Sequence, residues 1–300
     1  MLRDYTRLHP EPVAFRRCYD GLDDEARSML SQPAQDAYAR GLLSDLAYAD
    51  DTLLLGVASV HLTEYLQAVE TAGKSYGLEM HADKFKLLQV RCCGQVHLSS
   101  GEPISAVSSL NYLGATLDDA GQVSSELYCR IGIAKNAFQT VTQVWNHAAI
   151  AIGKKVDIYK FLVESKLLHG LASLCLTTAQ LRHLDGFQAK CLRSILKIPS
   201  AFYSRISNAE VLGRASHRPA SALLLQAQLA LLGKIIRSGE DSVLRSVSFI
   251  GDTLRSATNR YIRRVGRPRK EWIQTVLDEA LRRVRGDSGH LLFPATDKAR

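Results

Sequence analysis

The sequence predicts an α+β chain, and three features of its patterning lead there. Two short apolar runs, Leu42 to Tyr48 and Thr52 to Leu55, flank the turn-forming Ala49-Asp50-Asp51, which is the pattern of a hairpin with two carboxylates at its tip. A single amphipathic helix follows over Ser59 to Tyr76, where Leu62, Tyr65, Leu66, Val69 and Tyr76 repeat at three- and four-residue steps and predict one buried face. After Gly121 strand signals give way to helical periodicity over most of the remaining chain. With 300 residues, 46% hydrophobic and 23% charged, the chain can bury one substantial core or two modest ones.

The elements follow in order. Residues 1–41 are polar and broken by Pro10, Pro12 and Pro33; they read as a leader, poorly structured or helical, without a core of its own. Residues 42–120 hold the hairpin and the helix, which Gly77 is placed to close. Strand candidates follow at Lys86 to Val90, Gln95 to Leu98 and Leu110 to Leu117. Residues 121–254 form a helical region with helices expected at 124–147, 153–170, 178–197, 207–215 and 219–237. Ser207 to Glu210 reads as a capping box, Thr177 or Thr178 as an N-cap, and Pro219 as a first helical residue. Residues 255–300 contribute a basic segment, a helix over 267–285 and a tail.

Several function classes fall away. Apolar runs such as Leu223 to Leu225 and Leu229 to Leu232 are separated by Gln226 and Gln228, so no membrane span is expected. The first twenty residues hold no apolar signal region, and the chain is expected inside the cell, nuclear or cytoplasmic. Cys18, Cys92, Cys93, Cys129, Cys175 and Cys191 offer no C-x-x-C pair and no Cys/His cluster at ligand spacing, which predicts reduced thiols rather than a zinc site. Charge is unevenly spread. Residues 1–150 carry 12 Lys/Arg against 18 Asp/Glu, a net −6, whereas residues 151–300 carry 26 against 12, a net +14. The second half is suited to a polyanion.

Adjacent aspartates at the tip of an apolar hairpin repel each other unless a cation neutralises them. Mg²⁺ is the natural partner of such hard oxygens, with Mn²⁺ as its substitute, and a pair of these ions can activate a 3′-hydroxyl and stabilise a leaving pyrophosphate. The residues around Asp50 and Asp51, Leu46-Ala47-Tyr48-Ala49-Asp50-Asp51-Thr52-Leu53-Leu54-Leu55, resemble the Tyr-Ala-Asp-Asp box of reverse transcriptases from non-LTR, LINE-like retrotransposons. Gly77-Leu78-Glu79-Met80-His81-Ala82-Asp83-Lys84 is similar to the family's palm motif D, departing from it at His81 and, just beyond, at Phe85. Leu110-Asn111-Tyr112-Leu113-Gly114 resembles motif E, the primer-grip hairpin. Stretches from Arg130 to Leu196 resemble the helical thumb and the region after it, and the likeness extends over about residues 42 to 285.

The resemblance implies a partial palm of antiparallel strands plus a helix, followed by a mostly α-helical thumb. It gives Asp50 and Asp51 the role of Mg²⁺ ligands, with Tyr48 beside the nucleotide. Lys84 would lie near the triphosphate as a general acid, and Tyr112, Leu113 and Gly114 would hold the primer end. The implied partners are an RNA template and a DNA primer or target. The residues' own chemistry allows plainer roles: Lys84 as a solvated lysine, Tyr112 as a packed strand aromatic, and Gly114 as a backbone necessity.

The family's chemistry also needs a third carboxylate, fingers and a Gly-rich substrate motif ahead of the aspartates, yet only 49 residues precede Asp50. Val13-Ala14-Phe15 followed by Asp20 is a displaced echo of the missing box. The expectation is therefore the C-terminal portion of a reverse transcriptase that does not polymerise alone, either a nucleic-acid-binding remnant or a fragment of a longer active polymerase.

Between residues 255 and 285 ten Lys/Arg stand against three Asp/Glu. Arg263, Arg264, Arg267, Arg269 and Lys270 cluster around Gly266 and Pro268, an electrostatic footprint for nucleic acid. Gly266-Arg267-Pro268 also resembles an AT-hook core, whose arginines enter a narrow minor groove; a solvated charge run or a nuclear-targeting signal is the alternative. Trp272 at the start of the following helix reads as core rather than as a stacking platform.

Overall fold

The structure, a computed structural model, describes residues 21–48, 51–90, 92–120, 123–239, 242–251, 253–257 and 271–286. The chain is α+β and divides into two units, Met1–Gln122 and Val123–Arg300.

In the first unit two short helices, α1 over 21–28 and α2 (Gln32–Ala39), precede the hairpin of β1 (Leu43–Tyr48) and β2 (Asp51–Gly56). Helix α2 begins beside Pro33 and has no side-chain cap of its own. Glu64 answers its first turn instead, accepting from the Ser31 amide and, at 2.9 Å, from the Ser31 hydroxyl. The strands pair antiparallel from Leu43↔Gly56 to Tyr48↔Asp51. Helix α3 (Ser59–Ser75) packs on them. It ends at Gly77, whose φ of 71° lets Leu78 N–H reach Gly73 O at 2.9 Å and Gly77 N–H reach Lys74 O at 3.1 Å, a Schellman closure that favours glycine. A Cβ on Gly56 would fall 2.5 Å from Leu62 Cγ, so glycine is what lets the end of β2 approach this helix.

Leu22, Ala26, Leu30, Ala34 and Ala37 are buried with Leu43, Tyr65, Ala68, Val69 and Ala72 in one core. The expected coreless leader is thus, over 21–39, a supplier of core; its small apolar residues are spread over two helices too short to show a stripe. Helix α3 also differs from the one-faced expectation. Leu66 and Leu62 turn to a second cluster with Val96, Leu98, Phe85 and Ile104.

The later strands are shorter than expected. β3 (Leu87–Leu88) pairs parallel with β4 (Ala106–Val107), and Gln95 to Leu98 contributes only the bridge His97↔Pro103. Leu110 to Leu117 is not one strand but a hairpin of β5 (Ser109–Tyr112) and β6 (Ala115–Asp118), turning at Leu113-Gly114. Among the described residues the strands pair only two by two.

The second unit is helical among its described residues. It comprises α4 (Val123–Thr140), α5 (Thr142–Asn146), α6 (Ile152–Tyr159), a π-turn at Lys160–Glu164, α7 (Ser165–Leu168), α8 (Thr178–Ile195), α9 (Ala201–Ser204), α10 (Asn208–Arg214), α11 (Ala220–Arg237), α12 (Val243–Ser248) and α13 (Trp272–Gly286). The expected helix at 124–147 is broken at Val141, which leaves helical geometry at φ −106°, ψ 29°. That at 153–170 passes through the π-turn. Thr177 caps α8 in a complete capping box with Gln180, which supplies partners for two orphan amides. Ser207 accepts from the Glu210 amide at 3.1 Å, but the Glu210 carboxylate turns to Arg214 rather than back to the cap. Pro219 stands at the N-cap of α11, one residue outside the expected position.

Trp145, Tyr159, Leu167, Leu184, Leu192 and Val211 anchor the larger core of this unit. A smaller cluster joins Leu232 and Ile235 to Phe249, Ile273 and Val276. Helix α11 feeds both, through Ala220 and Leu224 into the first and through Leu232 and Ile235 into the second. Its 18 residues are long and apolar enough to cross a membrane by length and composition alone, but a single such helix is a weak sign and no membrane is indicated. Both of its interrupting glutamines are engaged: Gln226 accepts from Arg218 at 2.7 Å, and Gln228 donates to Leu174 O at 2.9 Å. Trp272 is half-buried against the smaller cluster and donates to Ala172 O at 2.7 Å, a core role as its spacing suggests.

Candidate functional site

The hairpin is the centre of the candidate site. Opposed residues of an antiparallel pair share a face, and neighbours along a strand alternate. Leu43, Asp45 and Ala47 with Thr52, Leu54 and Gly56 therefore form the face turned to the helices, and Ser44, Leu46 and Tyr48 with Asp51, Leu53 and Leu55 form the other. Asp51 opens β2 opposite Tyr48 and is exposed, as is Tyr48. Asp50 lies outside the described residues.

Asp45 interrupts the inner face with a charge, and its carboxylate is nearly buried, at 8% exposure. It accepts from the Tyr38 hydroxyl of α2 at 2.8 Å, from the Tyr65 hydroxyl of α3 at 2.8 Å, and from Arg27 Nη2 of α1 at 3.2 Å. Arg27 also lies over the Tyr38 ring, 4.9 Å from its centroid. Burial, and then the hydrogen bond to Asp45, push the Tyr38 phenol up to about 12 and raise that of Tyr65 further, so both remain donors. One carboxylate thereby ties three helices to β1. Sequence reasoning missed this cluster. Its one signal is a charge in the middle of an apolar strand.

The second hairpin adjoins the first. The Tyr112 hydroxyl donates to Leu46 O at 3.1 Å, and its phenol is raised by burial and then by the charge of Asp51. Leu113 and Gly114 both take positive φ, 49° and 78°, the requirement of a two-residue type I′ turn. Glycine adopts this freely; leucine does so at a cost, and here it holds a half-exposed apolar side chain at the hairpin tip. Tyr48, Asp51, Tyr112, Leu113 and Gly114 thus belong to two adjoining hairpins. Lys84 lies elsewhere in the unit, exposed, at the end of a 3₁₀ turn (Ala82–Lys84).

No group of three or more His, Cys, Asp or Glu side chains among the described residues is arranged to hold a metal. Asp45 cannot serve Asp51 as a further ligand, because it occupies the opposite face and three donors already use its oxygens. Arg263, Arg264, Arg267, Arg269 and Lys270 lie outside the described residues.

A further titratable cluster lies in the second unit. His217 Nδ1 donates to Arg218 O at 2.8 Å, which leaves its Nε2 facing Glu164 Oε2 at 3.2 Å. Gln188 closes the group, accepting from the Ala220 amide at 2.7 Å and donating to Arg218 O at 3.0 Å. Burial raises the Glu164 carboxyl, and His217 opposes that rise. Tyr159 abuts the His217 ring edge-on at 6.1 Å, and its hydroxyl is buried without a hydrogen-bond partner.

No family model and no curated protein matches this chain.

Proposed function

We propose that this chain is the C-terminal part of a reverse transcriptase of a non-LTR, LINE-like retrotransposon, and that it binds nucleic acid without polymerising on its own. What carries the reading is the hydrogen bond from Tyr112 to Leu46, which joins the hairpin of Asp51 to that of Leu113 and Gly114 across 66 residues of sequence. Two motifs that resemble separate parts of one polymerase palm are thereby neighbours in space, as their roles require. The asymmetry of charge, net +14 in residues 151–300, supports a nucleic-acid partner.

On this reading Asp50 and Asp51 are ligands for Mg²⁺ or Mn²⁺, Tyr48 is next to the nucleotide, and Lys84 acts near the triphosphate. Tyr112 to Gly114 meet the primer end. An RNA template and a DNA primer or target are the partners. Two-metal phosphoryl transfer needs a further carboxylate, which Asp45 does not offer. A longer chain carrying fingers and the remaining palm would have to supply it.

Mg²⁺- and Mn²⁺-dependent primer extension on an RNA template, with the Asp50→Asn, Asp51→Asn double variant alongside, tests the catalytic part. No incorporation is expected from these 300 residues alone; incorporation that vanishes in the double variant would show that a third ligand exists within them. Binding is tested with a template–primer duplex across a salt series. Arg267→Ala with Arg269→Ala should weaken binding and flatten its salt dependence. An unchanged slope removes the basic segment from the interface.

A further inference from the structure

Between α8 and α10 the chain makes a loop that is held in place from inside and carries its largest side chains outside. Arg193, in the last turn of α8, is buried. Its planar fork of donors reaches four acceptors: Nη1 donates to Pro199 O at 3.2 Å and Ser204 Oγ at 3.4 Å, and Nη2 to Ile206 O at 2.6 Å and Asn208 Oδ1 at 3.1 Å. A rigid guanidinium suits such simultaneous bonding. Ile198 and Ile206, at the two ends of the loop, pack against the core. Lys197 and Arg205 both adopt left-handed backbone, φ 58° and 56°, a conformation that non-glycine residues keep only where surrounding contacts enforce it.

The short helix α9 at the crown of this loop shows the reverse arrangement. Phe202 is 72% exposed and Tyr203 is 79% exposed, although the two isoleucines already anchor the loop. Their rings meet edge to face at 5.2 Å, and the Arg205 guanidinium lies 5.7 Å from the Phe202 centroid. From Gly186 to Ala209 the chain carries Lys190, Arg193, Lys197 and Arg205 and no carboxylate. Aromatic faces in solvent beside a guanidinium, on a backbone fixed in advance, suit a ligand that offers flat π-surfaces and phosphate together.

We propose that Phe202, Tyr203 and Arg205 form a stacking platform for the unpaired bases of single-stranded nucleic acid, with Arg193 as the residue that positions it. The platform rests on the reading of this chain as a nucleic-acid-binding protein, but on different residues from the aspartate hairpin and the basic segment.

The test uses the full chain with a fluorescein-labelled single-stranded RNA and the same RNA annealed into a duplex, whose bases are already stacked. Phe202→Ala with Tyr203→Ala should weaken single-strand binding about tenfold, the scale of losing base stacking, and leave duplex binding nearly unchanged. Both side chains are exposed, so the far-ultraviolet circular dichroism should not move. The swap Phe202→Tyr with Tyr203→Phe, which keeps both ring faces, should retain affinity. Equal loss on both probes, or no loss on either, overturns the platform while wild-type binding keeps the wider reading alive. If the wild type binds neither probe, that reading fails as well. If the double alanine variant changes the sedimentation of the chain and not its affinity for the single strand, the loop is a self-association surface and the proposal falls.

Discussion

The second unit encloses what it buries, whereas the first leaves half of its central hairpin uncovered. Trp145 is 1% exposed, stacks on Phe138 at 5.0 Å and donates to Phe138 O at 2.8 Å, while its own carbonyl accepts from the buried Lys155 ammonium at 3.0 Å. Helices packed around such a centre cover one another. Among the described residues the β1–β2 ribbon has two faces and one helical layer, and Leu46, Tyr48 and Leu55 are exposed on the outer face. With less apolar burial to draw on, the first unit relies on a concentrated polar anchor at Asp45, and the second on a broad core. Local order around the candidate aspartates therefore hangs on few groups, and damage to those groups should stay local.

That contrast can be broken most directly at Asp45. Asp45→Ala leaves two phenols and a guanidinium without their acceptor, and should cost the first unit about 3 kcal/mol, since losing one member of a buried charged cluster strands the rest. Hydrogen exchange should show protection lost in α1, α2, β1 and α3, with α8 and α11 unchanged; loss spread evenly over both units would show that their stabilities are not separate. Arg193→Met is the counterpart in the second unit. It removes the fork under the α8–α10 loop, and about 2 kcal/mol is expected from the acceptors left unsatisfied, visible as faster exchange at 197–208 with the first unit untouched.

The smallest effect concerns pH. Burial raises the Glu164 carboxyl in the folded chain above its unfolded value of 4.5, His217 partly opposing this, with help from Gln188, Lys160 and Arg218. Between those two values the native chain binds more protons than the unfolded one. Its contribution to stability therefore falls as pH rises through that window and is level above it. Glu164→Gln should flatten this slope in a series of urea midpoints from pH 4.5 upward, and an unaltered slope would assign it to other groups.

What the sequence reveals of this fold depends on how far apart the interacting residues lie. Helix α3 reads almost to the residue, because its stripe and its closing Gly77 are local features. The hairpin at 43–56 reads for the same reason: two apolar runs and an acidic turn suffice. The turn at Leu113-Gly114 is half visible; glycine permits a positive φ, but nothing about leucine announces one, so the strand pattern reads straight through and only the resemblance to the primer-grip hairpin implies a turn. Lys86 to Val90 looks like a strand by composition, yet only Leu87 and Leu88 find a partner, the distant Ala106–Val107.

The candidate site divides in the same way. Tyr48, Asp51 and Tyr112 stand out through local motifs. Asp45 does not, because its meaning comes from Arg27, Tyr38 and Tyr65, on three separate elements. The Arg193 loop is equally silent in sequence: an arginine near the end of an amphipathic helix is ordinarily a solvated one, and only the folded chain turns it inward.

Helix α11 carries a consequence for biosynthesis. Its outer half is covered by residues from Phe249 onward, and Ile273 and Val276 are the last to arrive. While a ribosome is still producing that segment, eighteen residues with a mean hydropathy of 1.2 emerge with Leu232 and Ile235 uncovered. Until α13 is made, Leu232 and Ile235 lack the cover that Ile273 and Val276 supply.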